Sequence, residues 1–157
     1  MVESRHVHLI TTKHVLRYLK GTFDYGLRYV ADCELIMVGY TDSDWASSVI
    51  EWKSTSGCCF SLGSAVITWH SRKQMSVVLS MAEAKYIVAC SACGEAVWLR
   101  KMLSRLFDLE LDETFIYCDN HSCIKLLENP MLHDKSKYIE IKYQYIHDMV
   151  EKRAMRI

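Results

Sequence analysis

Two aspartates in similar settings are the residues of this sequence best placed to do chemistry together. Asp42 closes the apolar run Leu35-Ile36-Met37-Val38-Gly39-Tyr40-Thr41, and Asp119 closes Phe115-Ile116-Tyr117-Cys118. Each run reads as a buried strand, and a sheet can bring strand ends together from distant parts of a chain. Carboxylates crowded at one point of a sheet repel unless a hard cation neutralises them, so the pair suits Mg²⁺ with waters and phosphate oxygens. The plainer alternative is that both acids are solvated turn residues. Other chemistry is poorly supplied. Cys90-x-x-Cys93 lies inside a helical stripe with no second such pair, which reads as small buried thiols and not as a zinc site. The seven histidines form no HExxH, and no Gly-rich loop suits a phosphate cradle.

The elements that must position the two acids follow from periodicity. The stretch from Met1 to Lys20 reads as a helix, with Val7, Ile10, His14, Leu16 and Leu19 at three-to-four spacing, Arg17 and Lys20 on the other side, and Gly21 as its stop. From Tyr25 to Tyr40 the pattern turns to β-branched and aromatic residues, broken by a polar turn at Ala31 to Glu34. Ser56 to Leu62 and Ala65 to His70 flank Gly63-Ser64 as a hairpin, so three consecutive antiparallel strands are expected. Ser80-Met81-Ala82-Glu83 has capping-box spacing ahead of a long helix running to about Phe107. A short helix over Ser122 to Glu128 precedes Pro130, and Lys135 to Lys152 reads as the last helix through Ile139, Tyr143, Ile146 and Val150. Three strands, helix, strand, helices is an α/β order.

Bulk properties narrow the class. A chain of 157 residues with 50% hydrophobic and 24% charged residues, one Pro and six Gly is a packed domain and not a disordered tail. Nineteen basic residues balance nineteen acidic ones, so a nucleic-acid site has to be a local patch. Seven cysteines, an odd count, with no basic-then-apolar leader, read as reduced thiols in a cytoplasmic or nuclear, not secreted, protein. The longest uncharged stretch, Ser54 to Ser71, is too polar for a membrane span. The four tryptophans, Trp45, Trp52, Trp69 and Trp98, are expected in the core and at its rim, with base-stacking platforms as the alternative.

Gly39-Tyr40-Thr41-Asp42-Ser43-Asp44-Trp45-Ala46 followed by Lys53-Ser54-Thr55-Ser56-Gly57 resembles the ribonuclease H region of copia-type retrotransposon Pol polyproteins. Leu62 to Ile67, Leu79 to Ala84, Cys90 to Cys93, Glu95 to Arg100 and Tyr117-Cys118-Asp119-Asn120 resemble that family in the same order. Leu16-Arg17-Tyr18-Leu19-Lys20-Gly21-Thr22 resembles the segment joining the polymerase part to it, so residues 1–34 are expected to be connection, a helix plus a strand, and 35–157 the ribonuclease H-like domain. The resemblance implies a mixed sheet, a three-stranded antiparallel meander plus a parallel fourth strand, with flanking helices. It also implies hydrolysis of RNA in RNA–DNA hybrids with Mg²⁺ or Mn²⁺, and the reverse transcriptase part of the same polyprotein as a partner.

Family members supply four acids; Asp42 matches the first and Asp119 the third, both as metal ligands. The helical acid belongs where this chain has Lys85, and Glu83 cannot replace it, because two helical residues are about 200° apart. An ammonium there would pair with Asp42 and Asp119, so weak metal binding and weak or lost cleavage are expected. The fourth acid belongs beyond a fifth strand that this sequence reaches only at Arg156-Ile157, so that strand is expected to be truncated. Tyr138 and Glu140 stand where the family carries His and Asp. Arg72, Lys73, Lys135, Lys137 and Lys142 are the candidate contacts to hybrid phosphates, with an ordinary solvated surface as the alternative. A non-catalytic nucleic-acid-binding remnant, or an interaction module that self-associates through an uncovered fourth-strand edge, are the competing functions.

Overall fold

The structure, a computed structural model, describes residues 5–45, 51–128 and 155–156. Along these the chain forms α1 (His6–Gly21), β1 (Met37–Ser43), β2 (Thr55–Leu62), β3 (Ala65–Lys73), α2 (Met81–Phe107), β4 (Thr114–Cys118), α3 (His121–Glu128) and β5 (Met155–Arg156). The sheet has the order β3-β2-β1-β4-β5. β1, β2 and β3 are antiparallel neighbours, as the hairpin pattern requires, and β4 joins β1 in parallel. A parallel neighbour needs a long crossover, which here runs through β2, β3 and α2.

Gly63 opens the β2–β3 turn at φ +58°, a backbone conformation that favours glycine. A Cβ there would also stand 2.7 Å from Cys33 Sγ and 3.0 Å from the Glu34 carbonyl, so the chain before β1 lies over this turn. Gly39 does a different job in β1. A Cβ on it would sit 2.6 Å from Phe60 Cε1, so only a bare backbone lets the fully buried Phe60 ring lie across β1. Around Phe60 the core gathers Met37, Ile116 and the inward face of α2, from Tyr86 and Val88 to Leu99 and Leu103. Cys90 and Cys93 belong to that face as buried thiols, and all seven cysteines are free.

α2 starts and stops on recognisable signals. Ser80 Oγ accepts from the Glu83 backbone N–H at 3.2 Å, and Glu83 turns back to accept from the Leu79 N–H at 2.9 Å, one residue beyond the usual reciprocal bond. At the other end Asp108 takes the left-handed conformation and donates its N–H to the Ser104 carbonyl.

Four expectations need correction. The strand-like run before residue 34 forms no ladder; side-chain bonds hold it instead, with Tyr29 OH donating to the Val66 carbonyl at 2.7 Å and the Val30 N–H to Ser64 Oγ at 2.9 Å. None of the four tryptophans is in the core, because α2 fills its sheet-facing side with small residues such as Ala89, Ala92, Cys93 and Ala96. The fourth-strand edge is not uncovered throughout: a fifth strand of two residues, short as expected, pairs in parallel with Thr114 and Phe115 of β4. α1 buries no residue, and its apolar side chains run round the helix. The last expected helix, with Lys135, Lys137, Tyr138, Glu140 and Lys142, lies outside the described residues.

Candidate functional site

Parallel pairing of β1 and β4 aligns Thr41 with Cys118, which brings the next residues, Asp42 and Asp119, side by side at the strand ends. They come from opposite halves of the described chain, and only the sheet makes them neighbours. Lys85, in the second turn of α2, reaches between them: its Nζ donates to Asp119 Oδ1 and lies 3.2 Å from Asp42 Oδ1. The lysine side chain is 7% exposed, whereas those of Asp42 and Asp119 are 79% and 68% exposed. A nearly buried ammonium therefore faces two mostly solvated carboxylates.

The electrostatics follow from that arrangement. Burial works against the charged lysine, but hydrogen bonds and attraction from Asp119 and Asp42 outweigh it, and the Lys85 pKa is raised. The same hydrogen bond holds the Asp119 carboxyl below its ordinary value, against a smaller opposing effect of burial. One unit of positive charge already sits between the two carboxylates. Mg²⁺ demands near-octahedral oxygen ligation, and two carboxylates sharing a lysine do not supply it. Among the described residues no group of three or more His, Cys, Asp or Glu side chains could hold a metal ion. The described residues do not fit the ion that the family resemblance implies.

Sequence reasoning missed several parts of this corner. Gln74, buried just after β3, shares its two Nε2 hydrogens among the Ala84 carbonyl at 3.0 Å, Ser56 Oγ at 2.9 Å and Ser43 Oγ at 3.3 Å. It thereby ties β1, β2 and the start of α2 together beneath the acids. Nothing in a Lys-Gln-Met stretch signals that role. Asn120, not singled out from sequence, caps α3: its Oδ1 accepts from the Cys123 N–H at 2.8 Å. A hydrogen bond from the Cys123 thiol pulls Cys118, next to Asp119, down to about 6, while the Cys123 thiol is pushed up.

A second cluster lies on the α2 side of the β2–β3 pair. His70 Nδ1 is 3.3 Å from Glu95 Oε2 and 3.7 Å from Cys58 Sγ. Both partners use the same ring nitrogen, so no relay runs through the imidazole, and burial pushes the Cys58 thiol up to about 12. This is an inert thiol and not an activated nucleophile.

Of the candidate phosphate contacts, Arg72 and Lys73 end β3 on the surface. Lys73 is already paired with Glu51 at 2.7 Å, and that pairing lowers the Glu51 pKa. Asp44 closes the β1–β2 ladder by accepting from the Thr55 N–H and donating its own N–H to the Thr55 carbonyl.

No family model matches this chain. It is similar to the retrovirus-related Pol polyprotein from transposon TNT 1-94 of Nicotiana tabacum, 36% identical over 156 residues covering 96% of this chain. It is also similar to the one from transposon RE2 of Arabidopsis thaliana, 34% identical over 160 residues covering 98%. The chain spans 11% of the length of each. Among solved structures, the foamy viral protease-reverse transcriptase in complex with dsDNA matches with a TM-score of 0.53 at 17% identity, over 81% of this chain and 82% of that one. The N-terminal ribonuclease H domain of a Mycobacterium tuberculosis protein matches at 0.52 and 12% identity, over 77% and 78%. Identities this low speak for the fold alone. Together with the sheet order and the end-to-end sequence match, they make this chain a homologue of one segment of the retrovirus-related Pol polyproteins of copia-type transposons, folded as a ribonuclease H-like domain.

Proposed function

We propose that this chain is a ribonuclease H-type module, of a lineage that hydrolyses RNA in RNA–DNA hybrids, whose acid site is neutralised from within by Lys85 and no longer cleaves at a family-like rate. The observation that carries this reading is the ammonium between Asp42 and Asp119. In a two-metal site one ion activates water and the other stabilises the leaving oxygen, and both depend on anionic ligands. An acid replaced by a lysine changes the local charge by two units. Even at an effective dielectric of ~20, a charge pair at about 4 Å is worth roughly 4 kcal/mol before solvation of the two exposed acids reduces it, and each ~1.4 kcal/mol lost from the transition state is about tenfold in rate.

Residues 1–34 form the connection to a polymerase part; the exposure of every residue of α1 supports a segment made to pack on something other than this sheet's inner face. Arg72 and Lys73 remain the described candidates for hybrid phosphates, with Lys135, Lys137 and Lys142 beyond the described residues. The non-catalytic binding reading shares these cations and differs only in whether cleavage survives. Self-association through the fourth-strand edge has lost its basis where β5 pairs.

The test is a Mg²⁺-dependent hybrid cleavage assay on the unmodified chain, on Lys85→Glu, and on Lys85→Glu carrying a family-like extension with the fourth acid. Cleavage is expected in the third protein alone. Robust cleavage by the unmodified chain, abolished by Asp42→Asn, would overturn the reading.

A further inference from the structure

α2 packs on one face of the sheet, and the opposite face presents a row of aromatic side chains to solvent. Register places Trp69, Cys59, Tyr40 and Tyr117 in one line across β3, β2, β1 and β4. Trp69 is 73% exposed, Tyr40 49% and Tyr117 57%. Half-buried Val38 and Phe115 lie two residues before the tyrosines on the same side, and Asp42 and Asp119 two residues after. Parallel strands are normally covered on both faces, and at the parallel β1–β4 pair this surface lacks a cover among the described residues. The Tyr40 and Tyr117 rings stack on each other with centroids 5.4 Å apart and 22° between planes.

The same chain carries a helix in the complementary condition. α1 has sixteen residues and buries none of them, although helices in proteins draw most of their stability from packing an apolar face. Leu9, Val15, Leu16 and Leu19 share one side of it by helical spacing and all are exposed. Lys13, Arg17 and Lys20 form an adjoining stripe, with no Asp or Glu anywhere in the helix. Its tether is fixed at the rim of the open face: Tyr29 bonds the Val66 carbonyl and Val30 bonds Ser64 on the β3 edge. Residues 22–28 between that anchor and the helix can extend to ~23 Å, more than the ~14 Å across the three strand spacings from β3 to β4. A helix of this length, about 24 Å, matches a seven-residue strand in the sheet below.

We propose that α1 folds back over the open face of its own sheet, seating Leu9, Val15, Leu16 and Leu19 on the Trp69, Tyr40 and Tyr117 row with the Lys13, Arg17 and Lys20 stripe toward Asp42 and Asp119. The tether favours this occupant, since attachment at the rim gives the helix an effective concentration in the millimolar range, and the charge pattern favours its orientation. The inference stands apart from the fate of the acid site, and either can fail alone.

The experiment uses the full chain with Trp45→Phe, Trp52→Phe and Trp98→Phe, leaving Trp69 as the only indole. The expected result is a blue-shifted Trp69 emission together with amide protection in α1, both independent of protein concentration. Leu16→Asp with Leu19→Asp on the helix side, or Tyr40→Glu on the sheet side, is expected to shift the emission to the red and abolish α1 protection. Retained protection of β1 and α2 amides in these variants shows that the domain is folded. A Trp69 emission typical of wet indole and indifferent to those substitutions would overturn the proposal. So would a blue shift that develops only as concentration rises, since a second copy would then be the cover.

Discussion

Lys85 lies in the second turn of α2, past the first turn to which the helix dipole's preference for carboxylates is confined. Lys85 is kept there by its two aspartates, and the pairing makes stability depend on pH in a direction that can be worked out. Asp119 has a folded pKa below the ordinary 3.8, so its contribution is complete above that value and is lost as pH falls through the lowered one. Lys85 has a folded pKa above the ordinary 10.5, so its contribution is complete below that value and is lost as pH rises through the raised one. Urea unfolding followed against pH should show both losses in the unmodified chain, and Lys85→Gln should remove the alkaline one and shrink the acid one. An unchanged pH profile in Lys85→Gln would mean that the ammonium is not coupled to the acids in solution.

At the scale of elements, two substitutions probe how the meander meets α2. Gly39→Ala puts a methyl against the Phe60 ring, which is fully buried and cannot swing away, so overpacking of about 1–3 kcal/mol is expected by chemical denaturation. Gln74→Met keeps the volume but removes the donor shared by Ser43, Ser56 and Ala84, and should cost about 1–3 kcal/mol. A neutral result for Gln74→Met would show that the three acceptors find water instead. Of these two, only Gly39 could be suspected from sequence, as a glycine inside a strand; Gln74 acts through tertiary neighbours. The helix ends were readable in advance because Ser80 and Glu83 cap α2 through bonds spanning three and four residues.

For the molecule as a whole, zero net charge and a Lys73 already paired with Glu51 leave Arg72 as the candidate phosphate contact with no ion pair among the described residues. Each neutralised phosphate of a duplex contributes about −0.9 to the slope of log affinity against log salt. The described residues therefore support a slope of about −0.9 for a duplex such as a hybrid, which Arg72→Gln should abolish in a fluorescence anisotropy titration. A much steeper slope that survives Arg72→Gln would place the contacts in α1 or in Lys135, Lys137 and Lys142.

Local signals were enough for most of the architecture. The alternating runs, the Gly63-Ser64 turn, the Ser80 cap and the apolar stripe of α2 each act over a few residues, so the meander, the long helix and the existence of a fourth strand could be read along the chain, whereas its parallel setting was what the family resemblance implied. The pairing of Asp42 with Asp119 could be anticipated from two strands ending in acids, and the charge reversal at Lys85 from its place in the family pattern. The pairing of Lys85 with the two acids was expected from the same pattern; tertiary structure decided that it is buried there, because a lysine one turn into a helix reads equally well as solvated. It also decided that Gln74 is a buried bridge, that His70 faces Glu95 and Cys58 through one nitrogen, and that Tyr29 anchors the N-terminal segment by its hydroxyl without a ladder. Each of these depends on which elements become neighbours once the sheet closes on α2, and no spacing within a single element encodes that.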